Sequence, residues 1–215
     1  MLDSTALAAN LASVRGRVLA IRESAVLIAV SKTQPPEAIR SLYLAGQRDF
    51  GENYAQELVA KAKALRDLPD LRWHFIGHLQ TNKVRAIAPF VHAVHSVDSV
   101  RLAGELSRRA GERLPIFLEV NLDGEAGKAG VTPADAPAVS AEIAALPGLE
   151  LRGLMAIPAP MAVMRPSFAR LRALETACRP ATRGGLSMGM SGDFEEALRE
   201  GATHVRVGTA LFGAR

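Results

Sequence analysis

Lysine is scarce in this 215-residue chain: Lys32, Lys61, Lys63, Lys83 and Lys128 are all it has. Lys32 stands out because it directly follows the apolar run VLIAVS at residues 26–31. An amine at the end of a buried strand loses solvation, which lowers its pKa and raises its neutral fraction. Schiff-base formation with a carbonyl requires that neutral amine. The plainer alternative is a strand-end lysine that reaches water or pairs with Glu52. Two glycine-bearing segments lie far along the chain, Ser187-Met188-Gly189-Met190-Ser191-Gly192 and Arg206-Val207-Gly208-Thr209. Glycines let backbone N–H groups approach an anion, and a helix start adds positive potential. On structural grounds alone, both segments read as tight turns.

The elements that would carry these residues alternate regularly. Apolar runs at 26–31, 49–52, 71–76, 91–97, 116–121, 149–157, 186–188 and 203–207 are too short for helices and read as strands buried on both faces. Between them, helical periodicity covers 53–66, 81–88, 98–110, 166–178 and 192–200. The first crossover helix follows Gln34-Pro35-Pro36-Glu37 and ends at Gly46. Thr132-Pro133-Ala134-Asp135 carries a capping-box pattern that opens a helix to Ala145. Ahead of the first strand, Leu7, Leu11, Val14, Val18 and Ile21 mark one face of a further helix. Strict βα alternation implies a parallel sheet with right-handed crossovers, and eight strands point to a closed (β/α)8 barrel of the TIM type. An open doubly wound sheet is the alternative, weakened because no G-x-G-x-x-G follows the first strand. The chain stops soon after the eighth strand, so the eighth helix is expected to be vestigial, with the N-terminal helix covering the barrel instead. No linker divides the sequence, and residues 1–215 are expected to form one domain.

Composition sets further bounds. Apolar residues make up 48% and charged residues 22%, the balance of a globular protein. The longest stretches without Asp, Glu, Lys or Arg are twelve residues, 86–97 and 153–164, too short to span a bilayer. Asp3 stands where a secretory signal carries positive charge, and Cys178 is the sole cysteine. A cytoplasmic protein without membrane attachment is expected. The net charge of +4 does not mark a nucleic-acid groove. Arginines are spread beside acids (Glu105 with Arg108 and Arg109; Glu195 and Glu196 with Arg199), and ten aromatics are too few to interleave with them.

In such a barrel, function sits at the C-terminal ends of the strands, and phosphate is often held by the loops after strands seven and eight. A strand-one lysine facing a phosphate cradle suggests a ligand with an aldehyde at one end and a phosphate at the other. Pyridoxal 5'-phosphate (PLP) fits that description. With the motifs AVSKTQP around Lys32, FGENYAQE from Phe50, WHFIGHLQTNK from Trp73, GLMAI from Gly153, LSMGMSGD and HVRVGTALFG, the chain resembles the pyridoxal phosphate homeostasis protein family over almost its whole length. The resemblance implies a barrel like the N-terminal domain of alanine racemases. It carries the Schiff base onto Lys32 and phosphate contacts onto Ser187, Gly208 and Thr209. It also places Arg206 beside the pyridine nitrogen and Asn53 near the cofactor. Two connections are shorter than is usual in the family, the one before Val26 and the one after Pro160.

Arginine is a permanent donor and cannot accept a proton, so an Arg206 beside the ring nitrogen implies a neutral ring and weak electron-sink chemistry. Racemases of the related fold tolerate such an arginine but use a tyrosine as second acid/base. Their Lys-x-x-x-Tyr pattern is missing after Lys32. Tyr43 and Tyr54 read as packing residues. The expected protein is therefore a non-catalytic PLP carrier, a monomer or else a dimer, whose recipients are apo-enzymes that use the cofactor. A PLP-dependent racemase and a cofactor-free Schiff-base aldolase are the alternatives. Met155, Met188 and Met190 are candidates to flank the ring. Lys83 reads as solvated and Asn53 as a helix cap that also reaches the cofactor. His92 and His95 are expected on opposite sides of their strand.

Overall fold

The computed structural model describes residues 4–111, 113–157 and 164–213. Eight strands close into a barrel in sequence order: β1 (Val26–Val30), β2 (Asp49–Glu52), β3 (Arg72–Phe75), β4 (Val91–Val97), β5 (Leu114–Glu119), β6 (Leu149–Met155), β7 (Gly185–Ser187) and β8 (His204–Val207). Every neighbouring pair is parallel, and β8 returns to β1 with Ile28 opposite Arg206 and Ala29 opposite Val207. The barrel expected from strict alternation is the one observed. Strands β2 and β4 keep the expected bounds, β5 and β7 are shifted by two and one residues toward the N-terminus, and β1, β3, β6 and β8 are one or two residues shorter than their apolar runs.

The helices are α1 (Ser4–Ile21), α2 (Pro36–Leu44), α3 (Ala55–Ala64), α4 (Val84–Ile87), α5 (Val100–Ser107), α6 (Ala136–Ala144), α7 (Met164–Ala177), α8 (Phe194–Arg199) and α9 (Thr209–Phe212). Thr81–Lys83 form a 3-10 turn ahead of α4. Helix α9 is the expected vestige, a single turn. Helix α1 buries Leu7, Leu11, Val14 and Val18 and packs against α2, α8 and α9, closing the helical ring. Asp98 does not begin α5: Ser99 is its cap, accepting from the N–H of Leu102. The paired Thr132 and Asp135 bond each other one turn before α6. Glu105 holds Arg108 and Arg109, and Glu196 holds Arg199, as expected, whereas Glu195 pairs with Arg17. The shortened connection after Pro160 lies outside the described residues.

Burial is layered. One apolar cluster fills the space between strands and helices and takes outward-facing strand residues such as Phe50, Trp73, Phe75, Leu186 and Val205. The barrel interior is different: His74, His95, Phe117, Ser187 and Arg206 are all buried there. The His95 ring stacks on Phe117 at 4.4 Å. The β3–β4 register shifts, Trp73 facing Val91 while His74 faces Ala93, so β4 spends an extra residue at His92. That bulge breaks the alternation expected for His92 and His95. Both rings come within 6 Å of the His74 ring, at 5.6 and 5.2 Å. No helix among the described residues is long and apolar enough to cross a membrane.

Candidate functional site

Beyond β1 the chain turns sharply. Thr33 has φ 64°, the one non-glycine residue at positive φ among those described, and this turn presents half-buried Lys32 to the barrel mouth. An ion-pair network grips the turn on both sides. Lys61 of α3 donates to the Ser31 carbonyl, Glu52 Oε1 and Glu57 Oε2, each at 2.8 Å. Glu57 in turn accepts the Thr33 N–H at 2.8 Å, and Ser31 Oγ donates to Glu52 at 2.6 Å. Burial raises the pKa of Glu52 against the pull of Lys61 and Ser31. At Glu57 burial works the same way, but the Lys61 and Thr33 bonds outweigh it and hold the carboxyl below its usual range. Glu52 therefore belongs to Ser31 and Lys61, the role that the plainer reading of Lys32 had given to Lys32.

Across the mouth, the β7–α8 and β8–α9 turns meet. Gly189 at φ 91° is required there: a Cβ would lie 2.5 Å from the Ala197 methyl. The Ser191 hydroxyl that follows accepts from the Gly208 N–H at 3.1 Å and the Ala210 N–H at 3.3 Å. Two backbone donors and a hydroxyl thus converge on one point beside β1, since a Cβ on Gly208 would touch Val30 at 3.5 Å.

Between the lysine and this cradle lies a cavity of about 630 Å³, lined by Lys32, Asn53, Met190, Ser191, Arg206, Gly208 and Thr209, among others. Five of the six residues singled out from the sequence therefore share one cavity. Ser187 does not line it. Fully buried inside the barrel, its hydroxyl is shared by His95 Nδ1 at 2.8 Å and Arg206 Nη1 at 2.7 Å. The strand alternation that points Ser187 inward leaves Ser191 in the cradle, a residue the sequence reading passed over. The repeated serine of SMGMS was the available signal.

Asn53 does not cap α3, whose cap residue is Tyr54 with no side-chain bond. Instead its Oδ1 is buried without a partner. Gly77 lets the loop after β3 lie against it: a Cβ there would fall 2.2 Å from the Asn53 carbonyl oxygen. Arg206 donates to Ser187 and, at 3.0 Å, to the Ala156 carbonyl. Burial pushes its pKa down to about 10, with Glu119 and Asp193 opposing, so it stays charged near neutrality.

Of the three methionines, Met155 and Met188 are buried away from the cavity and Met190 lines it. Tyr43 does not face the mouth: its hydroxyl donates to Asp70 and Arg48 covers its ring, both at the opposite end of the barrel. Tyr54 is 54% exposed, not packed as expected. With Asn53, His78 and Lys83 it lines a smaller neighbouring cavity of about 200 Å³.

A primary amine, an orphaned amide oxygen, a buried guanidinium and a cradle of backbone donors suit a small ligand with a carbonyl at one end and an anion at the other. Residues 2–215 match the family described as alanine racemase, N-terminal domain. A protein of Pseudomonas aeruginosa named pyridoxal phosphate homeostasis protein is 48% identical, over 97% of this chain and 96% of its own length. The chain belongs to the pyridoxal phosphate homeostasis protein family. The Escherichia coli K12 member is 41% identical over 97% of both chains. PipY of Synechococcus elongatus, solved with PLP bound, superposes with a TM-score of 0.89 at 43% identity, over 96% of this chain and all of that one. Alanine racemase of Corynebacterium glutamicum is 19% identical with a TM-score of 0.77, and 62% of its chain is covered. That likeness extends the barrel of this family to the racemases as a fold.

Proposed function

We propose that this protein binds PLP in the 630 Å³ cavity and serves the homeostasis of that cofactor in the cytoplasm, without turning over a substrate. The observation that carries the reading is the pairing, across one cavity, of Lys32 with Ser191, Gly208 and Thr209. When bound, the cofactor supplies an aldehyde with which a neutral lysine amine condenses. Lys32 is the residue for that bond. The Ser191 hydroxyl, oriented by the Gly208 and Ala210 amides that it accepts from, would donate its own proton to the phosphate, with Thr209 beside it. Asn53 has an acceptor to spend, and Arg206 supplies fixed positive charge from below. PLP bound in PipY and the names of the relatives in Pseudomonas and Escherichia support the same assignment.

The non-catalytic part rests on the tyrosines. The Tyr43 phenol is committed to Asp70 at the far end of the barrel, and Tyr54 faces solvent, so neither stands over the cavity as a proton donor. One barrel then suffices as the binding unit, with apo-enzymes that need the cofactor as its recipients. Purified protein titrated with PLP is expected to turn yellow, and borohydride followed by peptide mapping to find the adduct on Lys32. Lys32→Ala should abolish both. Equal staining of Lys32→Ala, or amino-acid turnover that this variant loses, would overturn the reading.

A further inference from the structure

Inside the barrel, an unbroken file of hydrogen bonds runs from the cavity to the opposite face. Arg206 Nη1 donates to Ser187 Oγ at 2.7 Å, and Ser187 Oγ meets His95 Nδ1 at 2.8 Å. His95 Nε2 meets His74 Nδ1 at 2.9 Å, and His74 Nε2 meets Asp49 Oδ1 at 2.9 Å. Arg72 closes the file with two bonds to the Asp49 carboxylate, at 2.8 and 2.6 Å. The six residues come from five strands, β2, β3, β4, β7 and β8, with Arg72 and His74 both on β3, and His74, His95 and Ser187 are almost wholly buried.

The two ends dictate the direction. A guanidinium only donates and a carboxylate only accepts. His74 must therefore carry its proton on Nε2, facing Asp49. Neutral His74 then has a bare Nδ1, so His95 must donate from Nε2. The bare Nδ1 of His95 takes the Ser187 hydroxyl proton, and the Ser187 lone pairs turn to Arg206. Every donor finds one acceptor. Were His74 an imidazolium, His95 would flip and donate to Ser187 as Arg206 already does. The Ser187 proton would then need a third partner, and among the described residues Ser187 Oγ has only these two. Burial holds His95 well below the ordinary imidazole value, and the bonds from His74 and Arg72 keep Asp49 an ionised, acceptor-only carboxylate.

We propose that Asp49, His74, His95 and Ser187 are positioning residues for Arg206, a file of fixed polarity with both imidazoles in the Nε2–H form that anchors the guanidinium beneath the ligand. The Ser187 and Ala156 oxygens fix two of its nitrogens and leave its remaining N–H groups to the cavity. Ser187 thus acts through Arg206 and not on the phosphate. This functional half rests on the PLP reading; the tautomers do not.

Long-range proton–nitrogen correlation spectra of the ligand-free, 15N-labelled protein test the polarity directly. His74 and His95 should both show a protonated Nε2 and a bare Nδ1 at neutral pH, and an Nδ1–H form or an imidazolium on either overturns the file. Asp49→Asn, whose amide offers donor or acceptor, should bring a second tautomer into both rings; unchanged spectra would refute the part given to Asp49. For the functional half, Ser187→Ala should weaken PLP and phosphate-free pyridoxal by the same factor, about tenfold. Ser191→Ala should weaken PLP alone. Selective loss of PLP in Ser187→Ala would return Ser187 to the phosphate and refute the positioning role. If wild-type protein binds neither compound, the PLP reading fails while the tautomer result stands.

Discussion

Lys61→Met tests whether the ion-pair grip around Lys32 is structural. The lysine stem is retained in methionine, but Glu52, with a wholly buried side chain, loses the ammonium bonded to it. Removing one partner of a buried pair costs about 3–5 kcal/mol, because the remaining charge stays desolvated. At roughly 2–4 °C per kcal/mol for a chain of this size, the melting temperature followed by circular dichroism should fall by about 6–20 °C. The pH dependence has a definite sign. Burial already raises Glu52, and without Lys61 it rises further. A raised carboxylate pKa favours the folded state at low pH and loses that advantage as pH rises through it, so the deficit should be larger at pH 8 than at pH 5. Adding Glu52→Gln, which keeps an acceptor for Ser31, should recover at least half of the loss. Among the described residues the Ser31 carbonyl keeps only the Gln34 N–H, and Glu57, which accepts from the Thr33 amide, loses its Lys61 partner, so that amide should exchange faster with solvent. A single variant melting within 2 °C of the parent, or a double variant no better than the single one, would refute this account.

Two further outcomes follow from the same physical terms. Gly77→Ala must displace backbone, since its Cβ would overlap the Asn53 carbonyl at 2.2 Å. It should cost about 1–3 kcal/mol by chemical denaturation and weaken PLP binding as Asn53 shifts. Asp49 has a folded pKa of about 2 against an ordinary 3.8, worth about 2–3 kcal/mol that is present above pH 4 and lost as pH falls toward 2. Asp49→Asn should therefore flatten the acid limb of the stability curve in that window, and an unchanged limb would count against the buried pairing.

The fold was legible because each strand is a short apolar run between helical periods, and because the count of eight closes a ring. Boundaries were less so. Ser99 rather than Asp98 caps α5, a choice made by which side chain reaches the Leu102 amide. Within the site, Lys32, Arg206, Gly208 and Thr209 could be read because type and strand-end position coincide. Ser187 could not be placed from its position alone, which suits a phosphate, because its side chain follows the pleat into the barrel. The file from Arg206 to Asp49 could not be read at all. Its members sit on five strands, and each looks alone like a core residue. Thr33 offered no sign either, since its positive φ is imposed by the bonds on either side of it.

The cavity spans the seam where the barrel's first and last strands pair, with Lys32 on one margin and the Gly208 amide on the other. In the reading proposed above, a chain emerging from the ribosome makes the amine early and the phosphate seat about 175 residues later. A product cut before β8 would lack that seat, so colour in a preparation would count molecules whose ring has closed.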